Sequence, residues 1–196
     1  MNKYGIAVLL LIIGFLGGYL YGNTTPQEDT HMTNEEMHDD KEDSMSHEME
    51  HSMTVATDRE FIEGMIPHHQ EAVDTAREVF ERGGVIPEIK ELAGAIITSQ
   101  EKEIADMRTW YQNWYDTPFK DTGIYMEMMR DLSTISGKEL DVTFITDMIG
   151  HHKGAIFMAN QALMFSDKKE IRTLSENILK TQQVEIDLMK RVLSEN

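Results

Sequence analysis

Phe61-Ile62-Glu63-Gly64-Met65-Ile66-Pro67-His68-His69 returns later in the chain as Phe144-Ile145-Thr146-Asp147-Met148-Ile149-Gly150-His151-His152. A paired-histidine motif carried at the same place in two similar segments marks a duplicated unit, and a duplication constrains the whole fold. Working outward from the first copy, Thr57-x-x-Glu60 reads as a capping box. Phe61, Ile62, Met65, Ile66, Ala72, Val73, Ala76, Val79 and Phe80 then recur at helical spacing. Gly83-Gly84 ends this helix, and Pro87 suits the first position of the next, which runs to about Asp116. A connecting region, 117–138, is expected to hold a short helix around Tyr125–Leu132. Ser136-x-x-Glu139 opens the third helix, which runs to about Phe165, and Asp167 is placed to cap a fourth that runs nearly to the C-terminus.

The partner helices repeat as well. Glu88-Ile89-x-x-Leu92 is echoed by Glu170-Ile171-x-x-Leu174, and Ile96-Ile97-x-Ser99-Gln100-x-x-Glu103-Ile104-x-x-Met107 by Ile178-Leu179-x-Thr181-Gln182-x-x-Glu185-Ile186-x-x-Met189. The sequence therefore predicts an all-α protein: a four-helix bundle over 57–196, built from a helical hairpin used twice, at 57–116 and 139–194. An up-down-up-down order is expected, with helices one and three parallel and both histidine pairs at one level.

The rest of the chain bounds the function. There is no cysteine, which excludes disulfides, thiolate zinc sites and thiol catalysis. The net charge is -17, and about half of it falls within residues 24–56; such a chain repels nucleic acid and attracts cations. After Lys3 an uncharged, mostly apolar run extends from Tyr4 to about Gly22. It nears the roughly 20 residues a membrane-crossing helix needs, and it is longer than a signal-peptide core and ends in a poor cleavage match. Residues 1–22 are thus expected to be an uncleaved single-pass anchor in a cell membrane. The charge pattern places the remainder outside the cytoplasm, secreted or periplasmic should the segment be cleaved. Residues 23–56 are expected to be a disordered acidic linker, too poor in apolar residues to fold. The linker interleaves His31, His38, His47 and His51 with Met32, Met37, Met45, Met49 and Met53. The plain reading is a tether; the sharper one is a flexible arm that collects metal ions.

Within the bundle, Met65, His68 and His69 share one helical face, on the stripe that points inward. Counting back from the Gly83-Gly84 turn brings Gln100, Glu103 and Met107 of the second helix level with them. The second half repeats the set as Met148, His151, His152, Gln182, Glu185 and Met189. The histidines and methionines are candidate metal ligands, and Gln100, Glu103, Gln182 and Glu185 candidate hydrogen-bond partners of the imidazoles. Pro67 and Gly150, both unfavourable in a helix, precede the two pairs and suggest a local distortion there. Di-iron bundles use Glu-x-x-His; here Met65 and Met148, or Ile66 and Ile149, hold the carboxylate's position. Thioether in place of carboxylate moves the preference from iron toward Cu(I) and similar soft ions. The bland reading is also open, because methionine at helical spacing is usually core filler. Trp110, Tyr111, Trp114 and Tyr115 read as packing at the end of the second helix.

Met-Ile-x-His-His-x-x-Ala, present as Met65–Ala72 and Met148–Ala155, resembles the signature of the domain of unknown function 305 family, over residues 58–194. The resemblance implies a ferritin-like bundle in secreted or periplasmic bacterial proteins, some members being linked to copper binding and resistance. It implies Met65, His68, His69, Met148, His151 and His152 as the metal-binding positions. The expected function is extracytoplasmic sequestration or delivery of copper, as Cu(I) with Ag(I) or another soft or borderline ion as analogues, to a transfer partner the sequence does not name. A redox enzyme on a bundle-bound ion and a non-metal envelope adaptor are the alternatives. Against the enzyme stands the lack of a di-iron carboxylate pattern or any other recognisable catalytic set.

Overall fold

The structure, a computed structural model, describes residues 53–82, 85–122, 125 and 127–196. The expected membrane anchor (1–22), most of the expected linker and the arm candidates from His31 to His51 lie outside the described residues. Among the described residues no helix is long and apolar enough to cross a membrane.

Four helices form the bundle: α1 (Asp58–Arg82), α2 (Pro87–Tyr115), α3 (Gly137–Phe165) and α4 (Lys169–Glu195), with no strand among the described residues. The capping signals act much as expected at α1, where the Glu60 amide donates to Thr57 Oγ1 (3.1 Å) and Glu60 Oε2 accepts from the Ala56 amide (2.8 Å). Pro87 opens α2, and Asp116, in the left-handed region at φ 51°, closes it. Asp167 does not cap α4: the residue before the helix is Lys168, whose amide donates instead to Ser166 Oγ (3.2 Å). Neither Pro67 nor Gly150 interrupts its helix, so the expected distortion does not amount to a break. The chain joins the bundle earlier than expected, because Val55 is buried and its amide donates to Gln161 Oε1 (2.9 Å), while Met53 packs on the core.

The helix directions correct the expected topology. The start of α1 packs with the end of α3: Val55 bonds Gln161, and a methyl group on Gly64 would touch Met158 Sδ at 3.5 Å. At the other end the Ile86 amide, just before α2, donates to Asp141 Oδ2 (2.8 Å) near the start of α3. Helices α1 and α3 are therefore antiparallel, and the order is up-down-down-up. The physical reason is the connection 116–136, which does not turn back but runs the length of the bundle. Phe119 packs edge-on against Tyr111 (5.7 Å) near one end, and Arg82 donates to the carbonyls of Leu132 (2.6 Å), Ser133 and Ile135 at the other. The described residues of 125–132 form no helix. The amides of Met128 and Met129 donate instead to Glu71 Oε1 (2.7 and 2.9 Å), so side-chain bonds replace helical ones.

The core divides in two. One apolar cluster joins the start of α1, the end of α2, the end of α3 and the start of α4, including Phe61, Met65, Met107, Met158 and Ile178. The other joins the opposite ends, including Val79, Ile96, Phe144, Met148 and Met189. The histidines of α1 and α3 lie near the middle of each helix, between these clusters, which is where two antiparallel helices keep equivalent residues level.

Candidate metal site

All four histidines of the repeated motif are 0% exposed. His68 of α1 and His151 of α3 face each other across the bundle with ring centroids 3.7 Å apart and planes inclined at 41°. The second histidine of each pair reaches the partner helix of its own hairpin, His69 Nε2 to Glu103 Oε2 and His152 Nε2 to Glu185 Oε2, each at 2.8 Å. A carboxylate only accepts, so Nε2 carries the hydrogen, and the neutral form of a ring bonded this way has its lone pair on Nδ1. Those two Nδ1 atoms are buried and unpartnered, as are Nδ1 and Nε2 of His68 and of His151. His151 Nε2 lies 3.2 Å from Glu71 Oε2, within ion-pair range but off the hydrogen-bond direction. Buried polar atoms nearly always have partners, so a cluster of orphaned ring nitrogens is exceptional.

The same surroundings hold two of these rings neutral. Burial, reinforced by the nearby His151, His69 and His152 rings, pushes the His68 imidazole well below its ordinary value. Burial also lowers His151, although Glu71 acts in the opposite direction. For Glu71 burial would raise the carboxyl, but contacts from His151, the Met129 amide and the Tyr125 hydroxyl outweigh it and hold the group below the usual carboxylate range. The Tyr125 hydroxyl, half-buried and donating to Glu71 Oε2 (2.8 Å), is pushed far up by desolvation and by that carboxylate.

Of the remaining candidates, Met65, Met107, Met148 and Met189 are all 0% exposed, but they divide two and two between the apolar clusters on either side of the histidine layer. Gln100 and Gln182 are buried with Oε1 unpartnered and do not bond the imidazoles in this structure. Among the described residues no group of three or more His, Asp and Glu side chains is arranged to hold a metal ion by itself. The aromatic residues ending α2 pack on one another, Trp110 stacked on Trp114 (5.9 Å) and Tyr111 edge-on to Tyr115 (4.9 Å), within the apolar cluster that holds Met65 and Met107.

Sequence reasoning missed Glu71 and Tyr125. Tyr125 stands edge-on to His68 with centroids 6.1 Å apart, and Glu71 ties the crossover to the site. Glu71 lies three residues beyond His68, a spacing that puts the two on one helical face and was readable. Tyr125 carries no such signal, because only the path of the crossover brings it there.

No curated protein matches the chain. Among solved structures, CopM in its Cu(II)-bound form is similar at 36% identity and TM-score 0.65, covering 70% of this chain and 96% of CopM. CopM in its Cu(I)-bound form gives 36% and 0.63 over 71% and 96%. A DUF305 protein from Streptomyces coelicolor, described as a candidate secreted protein, gives 28% and 0.60 over 69% and 90%. The family model described as "Domain of unknown function (DUF305)" matches residues 16–111 and again 58–193, spanning both copies of the paired-histidine motif, and the chain belongs to that family.

Proposed function

We propose that this protein binds copper, as Cu(I) and with Ag(I) as its close analogue, in the histidine layer of the bundle, and that it sequesters or hands on the ion outside the cytoplasm. The observation that carries this reading is the set of buried ring nitrogens with no partner, held between two thioether-bearing apolar clusters. Neutral imidazole and thioether donors suit a soft monovalent ion. His68, His69, His151 and His152 would hold the ion, with Met65, Met107, Met148 and Met189 as flanking thioether donors. Glu103 and Glu185, bonded to Nε2 of His69 and His152, would fix the orientation of those two rings as ligands. The single long crossover is the connectivity of ferritin-like bundles, but the donor set is not theirs. Further support comes from the similarity to CopM, whose structures include Cu(II)-, Cu(I)- and Ag-bound forms.

The Met/His-rich stretch from His31 to Met53 would gather ions for the bundle, and the apolar run Tyr4–Gly22 supports an extracytoplasmic location. Competitive Cu(I) titration of the full chain, wild type against the variant with His68, His69, His151 and His152 all changed to alanine, tests the reading. The tightest binding step is expected to disappear from the variant, with weaker binding by the arm retained. Unchanged stoichiometry and affinity would leave only the arm.

A further inference from the structure

One of the differences between the two copies beside the histidines is the loss of a carboxylate. Three residues after His68 stands Glu71, and three residues after His151 stands Gly154. Glu71 lies against His151 of the opposite helix (3.2 Å). By the pseudo-symmetry of the bundle, Gly154 is where a second carboxylate would lie against His68. The structure fills that space from elsewhere. A methyl group on Gly154 would sit 2.7 Å from the sulfur of Met53 and 3.1 Å from Nε2 of His68. A side chain there would have to displace the Met53 thioether, and that sulfur and the unpartnered imidazole nitrogen crowd one point above the bare helix backbone. Met53 belongs to the segment before α1, and that segment is fastened to α3 by the bond from the Val55 amide to Gln161.

We propose that the two repeats form one unsymmetrical site rather than two equal ones. Met53 supplies a fixed thioether to an ion held by His68, in the place that Glu71 takes beside His151. The His68 side is then the soft half, with nitrogen and sulfur donors for Cu(I) or Ag(I), and the His151 side carries the hard oxygen. Gly154 is the aperture that admits the sulfur. Met53 is accordingly the last residue of the Met/His-rich arm and the first donor of the bundle, the point at which an ion collected by the arm enters the histidine layer. This rests on the copper reading above.

Full-length protein labelled with methyl-13C methionine, titrated with Ag(I), tests it. Three variants accompany the wild type: Met53→Leu, which keeps the volume and removes the sulfur, Gly154→Ala, which closes the aperture, and the fourfold histidine variant. The Met53 methyl signal is expected to shift with the same equivalent of Ag(I) that shifts the His68 ring. Met53→Leu and Gly154→Ala are each expected to weaken that step about tenfold or more, within the range known for groups supporting a metal site, and the metal-free melting temperature of Met53→Leu should stay near wild type. If the fourfold variant loses the step but Met53→Leu binds as wild type does, the unsymmetrical site is wrong and the copper reading stands. If the fourfold variant also binds as wild type does, both fall.

Discussion

His68 and His151 are buried as neutral rings, and that sets how the metal-free fold responds to pH. Both have folded-state values below the ordinary 6.5, His68 well below it, with burial the first cause in each case. The unfolded chain takes up a proton on each near pH 6.5, whereas the folded chain resists it. Stability is thus at its full value above about pH 6.5 and falls as the pH drops toward the folded values. His68 contributes a slope that approaches about 1.4 kcal/mol per pH unit, and His151 adds to it in the same direction. Chemical denaturation of chelator-treated protein between pH 8 and 5, a window above the carboxylates, should show the midpoint fall below pH 6.5. The His68→Phe/His151→Phe variant should show a flatter profile, and equal slopes would mean that the rings are protonated in the fold. At this scale the sequence was informative about which residues meet, since the spacing brought Glu103 to His69 and Glu185 to His152. It was silent about their orphaned nitrogens, because burial to 0% is a property of the whole packing.

The crossover 116–136 shows what side-chain acceptors do for a segment without helical bonds. Glu71 alone accepts two amides and a hydroxyl from it, and Arg130 pairs with Asp147 (2.7 Å) further along. Hydrogen bonds to a charged group are worth about 1.5–3 kcal/mol each, and donors as partly buried as these recover some of that from water when stranded. Glu71→Ala is therefore expected to destabilise the bundle by about 2–4 kcal/mol and to strip the Met128 and Met129 amides of hydrogen-exchange protection. Glu71→Gln should be mild, since its Oε1 can still accept both amides while its nitrogen donates to the Tyr125 oxygen. Glu63→Ala, which breaks a half-exposed pair with Arg59 and a bond from Tyr111, should cost about 1 kcal/mol or less. If exchange at Met128 and Met129 is unaffected in Glu71→Ala, the carboxylate does not hold the crossover. The helices themselves were legible to within a residue or two because the Thr57 capping box, Pro87 and the apolar periodicity are local, although Ser136 makes no side-chain cap bond at α3. The direction of α3 was not. An apolar stripe reads the same whichever way its helix runs, and the apolar spacing of Met129 and Leu132 imitates a helix where the amides are in fact spent on Glu71.

Across the whole molecule, a layer of polar groups cuts an otherwise apolar core into two clusters. Each buried polar atom without a partner costs about 1–3 kcal/mol, so the metal-free bundle is less stable than the same bundle with an apolar waist. An ion that engages those nitrogens only in the folded state must stabilise it. At a hundred times the Kd the gain is about 2.7 kcal/mol, or roughly 5–10 °C in Tm for a chain of this size. Binding to His31–His51 that is equal in the folded and unfolded chain would not mimic this effect, because it shifts no equilibrium. Thermal melts of the full chain with Ag(I) and with chelator therefore separate the bundle from the arm without truncating either. Wild type should melt higher with Ag(I). The His68→Leu/His151→Leu variant, its waist now apolar, should melt higher than wild type in chelator and show almost no rise with Ag(I). A rise in that variant equal to the wild-type rise would place the stabilising ion elsewhere in the fold and remove the histidine layer from the metal chemistry. A variant that melts lower than wild type in chelator would instead show that the paired rings hold the waist together without an ion.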